Sequence, residues 1–362
     1  YFGGVDVRLA PLALNIDEIA LTNFYTRLIL DEQGGLNIRE ITAERAREQK
    51  RAKDAARAPG TVRGPTPAAA DATAATATSP PAPAAPLPPI AIKRILPHIA
   101  RDPNFIGMFQ AEAKLAVQLQ HGNICQIYQL GRHEDSFYIA LEYVDGRDIG
   151  AILDMHQKQG RGIPLPQACH IISRACDGLD YAHNKKDNAG NPLNIIHRDI
   201  SPPNLLISYE GEVKLIDFGL AKAVGSSIQT QAGIIKGKLA YMSPEQVRGT
   251  PLDARSDVFA LGIVFFELLT ARRLFRRDSD LETFDAVRQC RIPRPSELNP
   301  AIPAALEQIL LKALTRNLDD RFASASAMNE AIQEFVLSNR LTFRGEQLGE
   351  WMRKLFARRN KA

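Results

Sequence analysis

The chain has 362 residues, of which 45 are Lys or Arg and 41 are Asp or Glu, so its formal net charge is +4. The length predicts two or three domains, and so small a positive surplus argues against a nucleic-acid partner or an anionic membrane surface. The four cysteines show no Cys-x-x-Cys spacing, which argues against a zinc site and a disulfide scaffold and fits a reducing compartment.

The first part of the chain predicts a small β-rich segment followed by a linker. Residues 1–41 alternate apolar and polar side chains in VDVRLAPLALNI and NFYTRLIL, a period typical of strands. Residues 42–89 are first charged and then almost wholly Ala, Pro, Thr and Ser. Such a composition buries too little apolar surface to offset its ordering entropy. We therefore expect a disordered linker and a domain boundary here.

Residues 90–144 predict a strand-rich unit, with strands in IAIKRIL, ICQIYQLGRHE and SFYIALEYV and a helical stretch over residues 103–119. Residues 145–340 predict a mainly helical unit, and residues 341–362 a C-terminal helical tail. A strand-rich piece before a helix-rich piece is typical of a two-lobed α+β domain.

One helix of the second unit is apolar on all sides. The run from Val258 to Thr270 is interrupted by Glu267 and is shorter than the roughly 20 apolar residues that cross a membrane. It therefore predicts a buried core helix, and we expect no transmembrane segment.

The residues that point to chemistry lie in two loops beside predicted strands. HRDISPPN, which contains Asp199 and Asn204, precedes the strands LLIS and VKLI, and Asp217-Phe218-Gly219 follows VKLI directly. This order presents oxygen ligands beside one cleft. Phosphoryl transfer needs such an arrangement, because it depends on positioning the nucleophile and on Mg²⁺, a hard cation that prefers oxygen ligands.

The order HRD-x4-N, strand and DFG resembles the protein serine/threonine kinase family over residues 90–362, which implies the two-lobed kinase fold. The resemblance implies that Asp199 accepts the proton of a protein substrate's hydroxyl. It also implies that Asn204 and Asp217 hold Mg²⁺ or Mn²⁺, with ATP as phosphoryl donor. The insert DNAGNPLN and the stretch KGKLAYMSPEQ are most similar to multi-domain bacterial kinases of myxobacterial type.

The same resemblance implies an ATP site. Lys93 in IAIK resembles the lysine that holds the α- and β-phosphates, and Glu112 resembles the glutamate that orients it. Read alone, Glu112 could equally be a solvated helix charge. Adenine and ribose would be contacted by further positions, some of which are also typical of a core: Ala91, Glu142, Val144, Asp148 and Leu206.

Structural roles are implied for three more residues. Glu245 in SPE resembles the glutamate that closes the activation segment, and Arg321 resembles its ion-pair partner. Asp257 resembles the buried acid that anchors the catalytic-loop backbone.

Two positions depart from the family pattern. The lysine that usually follows the catalytic aspartate by two residues is Ser201 here. The threonine that usually lies three residues before the tyrosine of Tyr-x-x-Pro-Glu is Lys238. In the kinase fold these positions face each other. We therefore expect Lys238 to supply the missing ammonium and Ser201 the hydroxyl. A merely exposed Lys238 is the alternative.

The activation segment, residues 220–242, holds candidate phosphorylation sites. Arg198 lies beside the catalytic aspartate, and the arginine at this position of the family usually binds a phosphate on that segment. A guanidinium can bond a dianion with two parallel hydrogen bonds. Thr230 is the favoured candidate, with Ser226 and Ser227 as others. A solvated loop threonine is the alternative interpretation of Thr230.

The glycine-rich loop that normally covers the ATP phosphates is absent from its usual position. The sequence before Lys93 is PPAPAAPLPPIAIK, and no glycine lies between Gly64 and Gly107. Residues 1–95 are similar to AsmA-like envelope repeat proteins, in which a comparable strand follows a linker. IAIKRI fits both families, which predicts a fusion at this hexapeptide, produced by recombination or in sequence assembly.

Three functions are thus open. The first is an active serine/threonine kinase with protein substrates. The second is a pseudokinase or scaffold that binds nucleotide or partners without efficient transfer, since a small lobe without its first two strands loses phosphate cover. The third, an envelope structural protein, does not account for HRD-x4-N and DFG. We expect the kinase domain in the cytoplasm, with envelope association of the N-terminal segment left open.

Overall fold

The structure is a computed structural model that describes residues 2–8, 13–19, 89–94, 107, 113, 115–133, 136–218 and 238–357. The chain divides into two compact units, Tyr1–Pro97 with Gly131–Tyr143 and His98–Leu130 with Val144–Ala362. Residues 42–88 of the predicted linker lie outside the described residues, as does the predicted strand pattern NFYTRLIL.

The first unit contains antiparallel strands. β1 (Phe2–Arg8) pairs with β2 (Ala13–Ile19) in the part of the chain where alternation predicts strands. A second sheet has the order β3-β5-β4, with β3 spanning Ile90–Arg94, β4 Ile127–His133 and β5 Ser136–Glu142. Of β4, residues 131–133 belong to this unit. All three strands of this sheet are predicted by the sequence, although β4 begins at residue 127 rather than 124.

The second unit combines a small sheet with helices. β6 (Gly146–Asp148), β7 (Leu205–Ser208) and β8 (Val213–Leu215) form an antiparallel sheet in the order β6-β7-β8. The described helices of this unit that span four residues or more are α1 Ile149–Lys158, α2 Leu165–His183, α3 Pro244–Arg248, α4 Arg255–Thr270, α5 Asp280–Gln289, α6 Pro295–Leu298, α7 Ala304–Ala313, α8 Ala325–Ser338 and α9 Gly345–Ala357.

The core of the second unit surrounds α4. Every residue from 256 to 270 is buried, and α2, α7 and α8 pack against this helix. A helix that is apolar on all sides belongs inside a protein core, which confirms the prediction of a buried helix. Within the part of the chain that the structure describes, no helix has the length and apolar character of a membrane span.

Helix α9 forms the predicted C-terminal helix and packs on the β7–β8 turn. Its residues Leu348, Met352 and Phe356 recur at four-residue spacing and are buried. The turn comes close because Gly211 has a φ of 92°, and a Cβ atom there would collide with the Gly345 backbone. The Arg353 guanidinium donates a hydrogen bond to the carbonyl of Tyr209.

The sequence interpretation missed several short elements, among them β6, α3, α5 and α6. A signal for α5 was present, because Ser279 and Glu282 form a capping box in which each side chain accepts a hydrogen bond from the other's backbone N–H. The predicted helix over residues 103–119 lies mostly outside the described residues, and its described helical residues end at Ala116.

Candidate active site

A buried carboxylate fixes the backbone of the loop between α2 and β7. Asp257, in the first turn of α4, is 1% exposed. Its Oδ2 accepts from the His197 amide at 2.7 Å, and its Oδ1 accepts from the Arg198 amide at 2.8 Å. The His183 ring lies 2.8 Å from Oδ2 through Nε2. Each oxygen of Asp257 therefore accepts a hydrogen bond from a backbone amide of the loop, which fixes the loop backbone.

Asp257 is charged in the folded protein. Burial alone would raise the pKa of this carboxyl, but the hydrogen bond and charge of His183, together with His197, hold its pKa below the ordinary range. A negative charge in the first turn of a helix is also favoured by the helix dipole. The anchor therefore stays ionised at neutral pH.

The loop contains a strained backbone position. Arg198 has a φ of 62°, in the left-handed region that side chains other than glycine rarely adopt. Its amide is bound by Asp257, and its carbonyl accepts a hydrogen bond from Gln246 Nε2 at 3.0 Å. Because both polar groups of the residue are held by other elements, the surrounding structure imposes this conformation.

His197 connects this loop to the segment after β8. Its ring is fully buried, lies 3.0 Å from the carbonyl of Ile216 through Nε2, and is 4.5 Å from the Phe218 ring. Burial lowers the pKa of His197, so the imidazole is neutral and Nε2 must carry the proton that the carbonyl accepts. The HRD and DFG motifs are thereby tied together through a buried side chain.

Asp199 is surrounded by the residues that the sequence singled out. Lys238 Nζ lies 2.5 Å from Asp199 Oδ2, and Asn204 Nδ2 donates to the same oxygen at 3.1 Å and to the Asp199 carbonyl at 2.7 Å. The Ser201 hydroxyl donates to that carbonyl at 3.3 Å. The Lys238 side chain is 44% exposed and that of Asp199 12%. Lys238 and Ser201 therefore both contact Asp199.

A backbone hydrogen bond joins the segment of Asn204 to the residue before Asp217. The Asn204 carbonyl accepts from the Ile216 amide at 3.0 Å, and Asp217 follows with a φ of 61°. The hydrogen bonds of the Asn204 side chain use Nδ2, so Oδ1 is the atom that could ligate a cation.

This donor set fits Mg²⁺ that arrives with a nucleotide. Among the residues that the structure describes, no group of three or more His, Cys, Asp or Glu side chains could hold a metal ion. Mg²⁺ needs no such cage, since it is commonly bound by one or two carboxylates together with substrate phosphates.

Glu245 and Arg321 form a buried ion pair. Arg321 Nη1 lies 2.8 Å from Glu245 Oε1, and Nη2 lies 3.2 Å from Oε2. The Ser256 hydroxyl also donates to Oε1 at 2.8 Å, and Arg321 donates to the Arg255 carbonyl at 2.7 Å. Burial opposes the charged carboxylate, but these bonds lower the pKa of Glu245 overall. The pair connects α3, α4 and the segment before α8.

The predicted nucleotide-binding residues lie on separate elements. In the first unit, Ala91 is buried on β3 and Lys93 is half-buried there, opposite Ile139. Glu142 ends β5.

In the second unit, Val144 is buried, and Leu206 on β7 pairs with Asp148 on β6. Asp148 Oδ1 caps α1 by accepting from the Ala151 amide at 2.9 Å. Glu112, Ser226, Ser227 and Thr230 lie outside the described residues.

Sequence reasoning missed three contributors to the site. Gln246 holds the Arg198 carbonyl, and its only local signal is its capping box with Ser243. His183 contacts Asp257, and Glu267 accepts a hydrogen bond from the Tyr241 hydroxyl. No spacing in the sequence predicts either contact.

Comparisons with known proteins agree with this geometry. Residues 88–333 match the family model described as protein kinase domain. The chain is 44% identical over 247 residues to a protein of Myxococcus xanthus named tyrosine-protein kinase MasK, covering 68% of this chain and 38% of the relative. It is 38% identical over 245 residues to serine/threonine-protein kinase PknB of Mycobacterium leprae, covering 66% of this chain and 37% of the relative.

A third relative is serine/threonine-protein kinase PrkC of Bacillus subtilis, 35% identical over 256 residues, with 70% of this chain and 37% of the relative covered. The chain thus spans less than two fifths of the length of these curated relatives. Among solved structures, the PknI kinase domain of Mycobacterium tuberculosis is similar with a TM-score of 0.51 and 27% identity. That match covers 68% of this chain and 85% of the solved chain.

Proposed function

Because the chain belongs to the protein kinase family, we propose that it transfers the γ-phosphate of ATP to serine and threonine hydroxyls of protein substrates. The observation that carries the proposal is the Asp199 carboxylate, which is hydrogen-bonded by Lys238 and Asn204. It lies in a loop whose backbone is anchored to buried Asp257. A carboxylate that is held in place near the surface can accept a hydrogen bond from the hydroxyl of a protein substrate.

In this mechanism Asp199 orients the acceptor hydroxyl and takes up its proton. Asn204 Nδ2 and Lys238 Nζ both donate to Asp199 Oδ2, and these two hydrogen bonds hold the carboxylate in one orientation. A carboxylate need be only weakly basic here, since phosphoryl transfer depends mainly on positioning and electrostatic stabilisation.

We propose that Lys238 replaces the lysine that the family carries at position 201. Its ammonium is 2.5 Å from Asp199 and 44% exposed, so it lies beside the acceptor position without being buried in the core. From there it would neutralise charge on the transferred phosphoryl group. The short contact with Asp199 supports this role over that of a solvated surface lysine.

The resemblance to protein kinases also proposes roles in nucleotide binding. Lys93, oriented by Glu112, would contact the α- and β-phosphates, and adenine and ribose would meet the remaining predicted residues, namely Ala91, Glu142, Val144, Asp148 and Leu206. Asn204 Oδ1 and Asp217 would hold Mg²⁺ or Mn²⁺, which supplies charge neutralisation of the triphosphate when bound.

Arg198 would bind a phosphate on the activation segment. Thr230 remains the favoured site, with Ser226 and Ser227 as alternatives. The backbone of Arg198 is held by two hydrogen bonds, so its side chain would reach towards that phosphate from a fixed point. Mass spectrometry of active protein should find the phosphate on one of these three residues, and its absence from all three would contradict this assignment.

The cytoplasm is the location that we propose for this domain, since ATP is available there. Among the described residues no disulfide joins the four cysteines, Cys125, Cys169, Cys176 and Cys290, which is compatible with a reducing compartment. The resemblance of residues 1–95 to envelope proteins stays a prediction.

The test is phosphoryl transfer by the full chain from Mg²⁺-ATP to a mixture of peptides containing Ser, Thr or Tyr. Asp199→Asn and Asp217→Ala should each lower turnover by a factor of about 10² or more. Asp319→Ala, at a residue whose side chain is 87% exposed, should not. ATP binding without transfer by the unchanged protein would favour the scaffold function.

Phosphoamino-acid analysis of the products addresses the acceptor. The relative at 44% identity is named a tyrosine kinase, whereas the relatives at 38% and 35% are named serine/threonine kinases. We expect phosphoserine and phosphothreonine, and phosphotyrosine as the main product would replace that part of the proposal.

A further inference from the structure

Four arginines lie within six residues between α4 and α5. This arginine segment, residues 272–277, reads Arg-Arg-Leu-Phe-Arg-Arg. Its two apolar residues, Leu274 and Phe275, are 4% and 1% exposed, and the Phe275 ring packs 6.1 Å from that of Phe259. The segment is thus fastened to the core at its centre.

One arginine of the segment points inward and joins it to the turn that carries Lys238. Arg273 Nη1 donates to the Tyr241 hydroxyl at 2.7 Å and lies 2.9 Å from Glu267 Oε2. The Tyr241 hydroxyl donates to the same Glu267 oxygen at 2.8 Å, and Leu274 N donates to Oε1 at 3.2 Å. Since Glu267 is fully buried, the segment is held in a fixed position.

This position is close to the acceptor side of the active site. Tyr241 ends the short turn Leu239–Tyr241, which begins directly after Lys238, the residue in contact with Asp199. Three residues of such a turn advance about 6 Å, and an extended peptide advances about 3.3 Å per residue. A substrate residue about three to five positions from the phosphorylated hydroxyl could therefore reach the arginine segment.

The other three arginines remain available to a ligand. Arg272, Arg276 and Arg277 are exposed, and within the described part of the chain they form no ion pair. Arg277 Nη1 instead donates to the carbonyls of Leu274 and Arg276, at 3.1 and 2.9 Å. These bonds restrain one guanidinium without neutralising it.

The acidic residues that follow the segment offset this charge only in part. Asp278, Asp280 and Glu282 are exposed along the chain, and Glu282 is engaged in the capping box with Ser279. Asp280 and Glu282 lie in the first turn of α5, where the helix dipole already favours a negative charge. Because Arg273 is paired with buried Glu267, the exposed charges of residues 272–278 are three arginines and one aspartate.

We propose that the arginine segment selects protein substrates that carry Asp or Glu about three to five residues from the phosphorylated hydroxyl. Guanidinium groups bond carboxylates with two parallel hydrogen bonds, which gives such a surface specificity as well as charge attraction. The inference rests on the proposed kinase function, because it concerns the substrate of the same site.

The test compares two serine peptides that differ only in having Glu or Ala at these flanking positions. The full chain should phosphorylate the Glu peptide with a kcat/KM about 10-fold higher, through a lower KM. In Arg276→Ala/Arg277→Ala this advantage should shrink to about 2-fold with kcat unchanged. The matched control Arg344→Ala, at an exposed arginine of the α9 terminus, should retain the full advantage.

Fluorescence anisotropy of both peptides, with Ala in place of the acceptor serine, separates the two proposals. Preferential binding of the Glu peptide that the double variant loses supports the substrate inference even if no phosphoryl transfer is detected, and absent transfer then contradicts only the kinase proposal. Equal binding and equal kcat/KM for the two peptides, or an equal loss for both in the double variant, would overturn the inference.

Discussion

Two aspartates of the catalytic region lie in opposite surroundings. Asp257 is 1% exposed and is bound by two backbone amides and a histidine. Asp199 is 12% exposed and is bound by the side chains of Asn204 and of Lys238, which is itself 44% exposed. The difference teaches that one carboxylate holds the loop in shape, whereas the other lies nearer the surface, where the proposed transfer needs it.

The largest effect on stability should come from a buried carboxylate of the first kind. Glu245→Ala would leave Arg321 buried without its partner, so the free energy of unfolding should fall by about 3–5 kcal/mol. Urea unfolding measures this. Lys354→Ala, in an exposed helical pair with Glu350, is the control and should leave the midpoint unchanged. A small loss at Glu245 would mean that burial of this pair is not what holds α3 in place.

Asp257→Asn sharpens the comparison because it keeps the shape and removes the charge. One oxygen becomes an NH₂ group facing a backbone N–H, so unfolding free energy should fall by about 1–3 kcal/mol. Turnover should fall as well, because the Arg198 backbone loses a constraint on its left-handed conformation. Thermal unfolding and peptide kinetics report the two effects separately, and a loss of turnover at full stability would contradict the anchoring role.

Lys238→Met should lower turnover with little change in stability, whereas Asp257→Asn should lower both. We expect turnover to fall about 10-fold or more, while an exposed ion pair contributes only about 0–1 kcal/mol to stability. The double variant Ser201→Lys/Lys238→Thr should recover much of the turnover, because it returns the ammonium to the family's usual position. Unchanged turnover in Lys238→Met, measured beside an inactive Lys93→Met, would show that the lysine is a surface residue.

The smallest effect concerns pH. Burial, with Arg174 nearby, lowers the pKa of His170 to about 4 from its ordinary 6.5. The unfolded chain therefore binds a proton that the folded chain does not, so stability present above pH 6.5 is progressively lost as the pH falls towards 4. His170→Gln should flatten this part of the curve of unfolding midpoint against pH. A curve of unchanged slope would assign the acid sensitivity to other groups, such as buried His156 and His197.

Much of the candidate site was predictable because its motifs are local. Asp199, Asn204 and Asp217 occur at spacings set by the loops that hold them, and the strands beside them follow from short apolar runs. The apolar helix α4 was equally plain, since a run without a polar face can only be buried. The sequence by itself therefore determined the fold class, the loop that we propose to be catalytic and the core helix.

Only the tertiary structure decided how distant residues meet. Gln246 reaches the Arg198 carbonyl, and Arg273 joins Tyr241 on Glu267, contacts that the sequence did not predict. Local pattern carries no information on such pairs, because hydrogen bonds between distant residues depend on how helices and strands pack. The sequence identified the charged residues of this site, and the packing around α4 decided that Asp257 is buried while Asp199 lies nearer the surface.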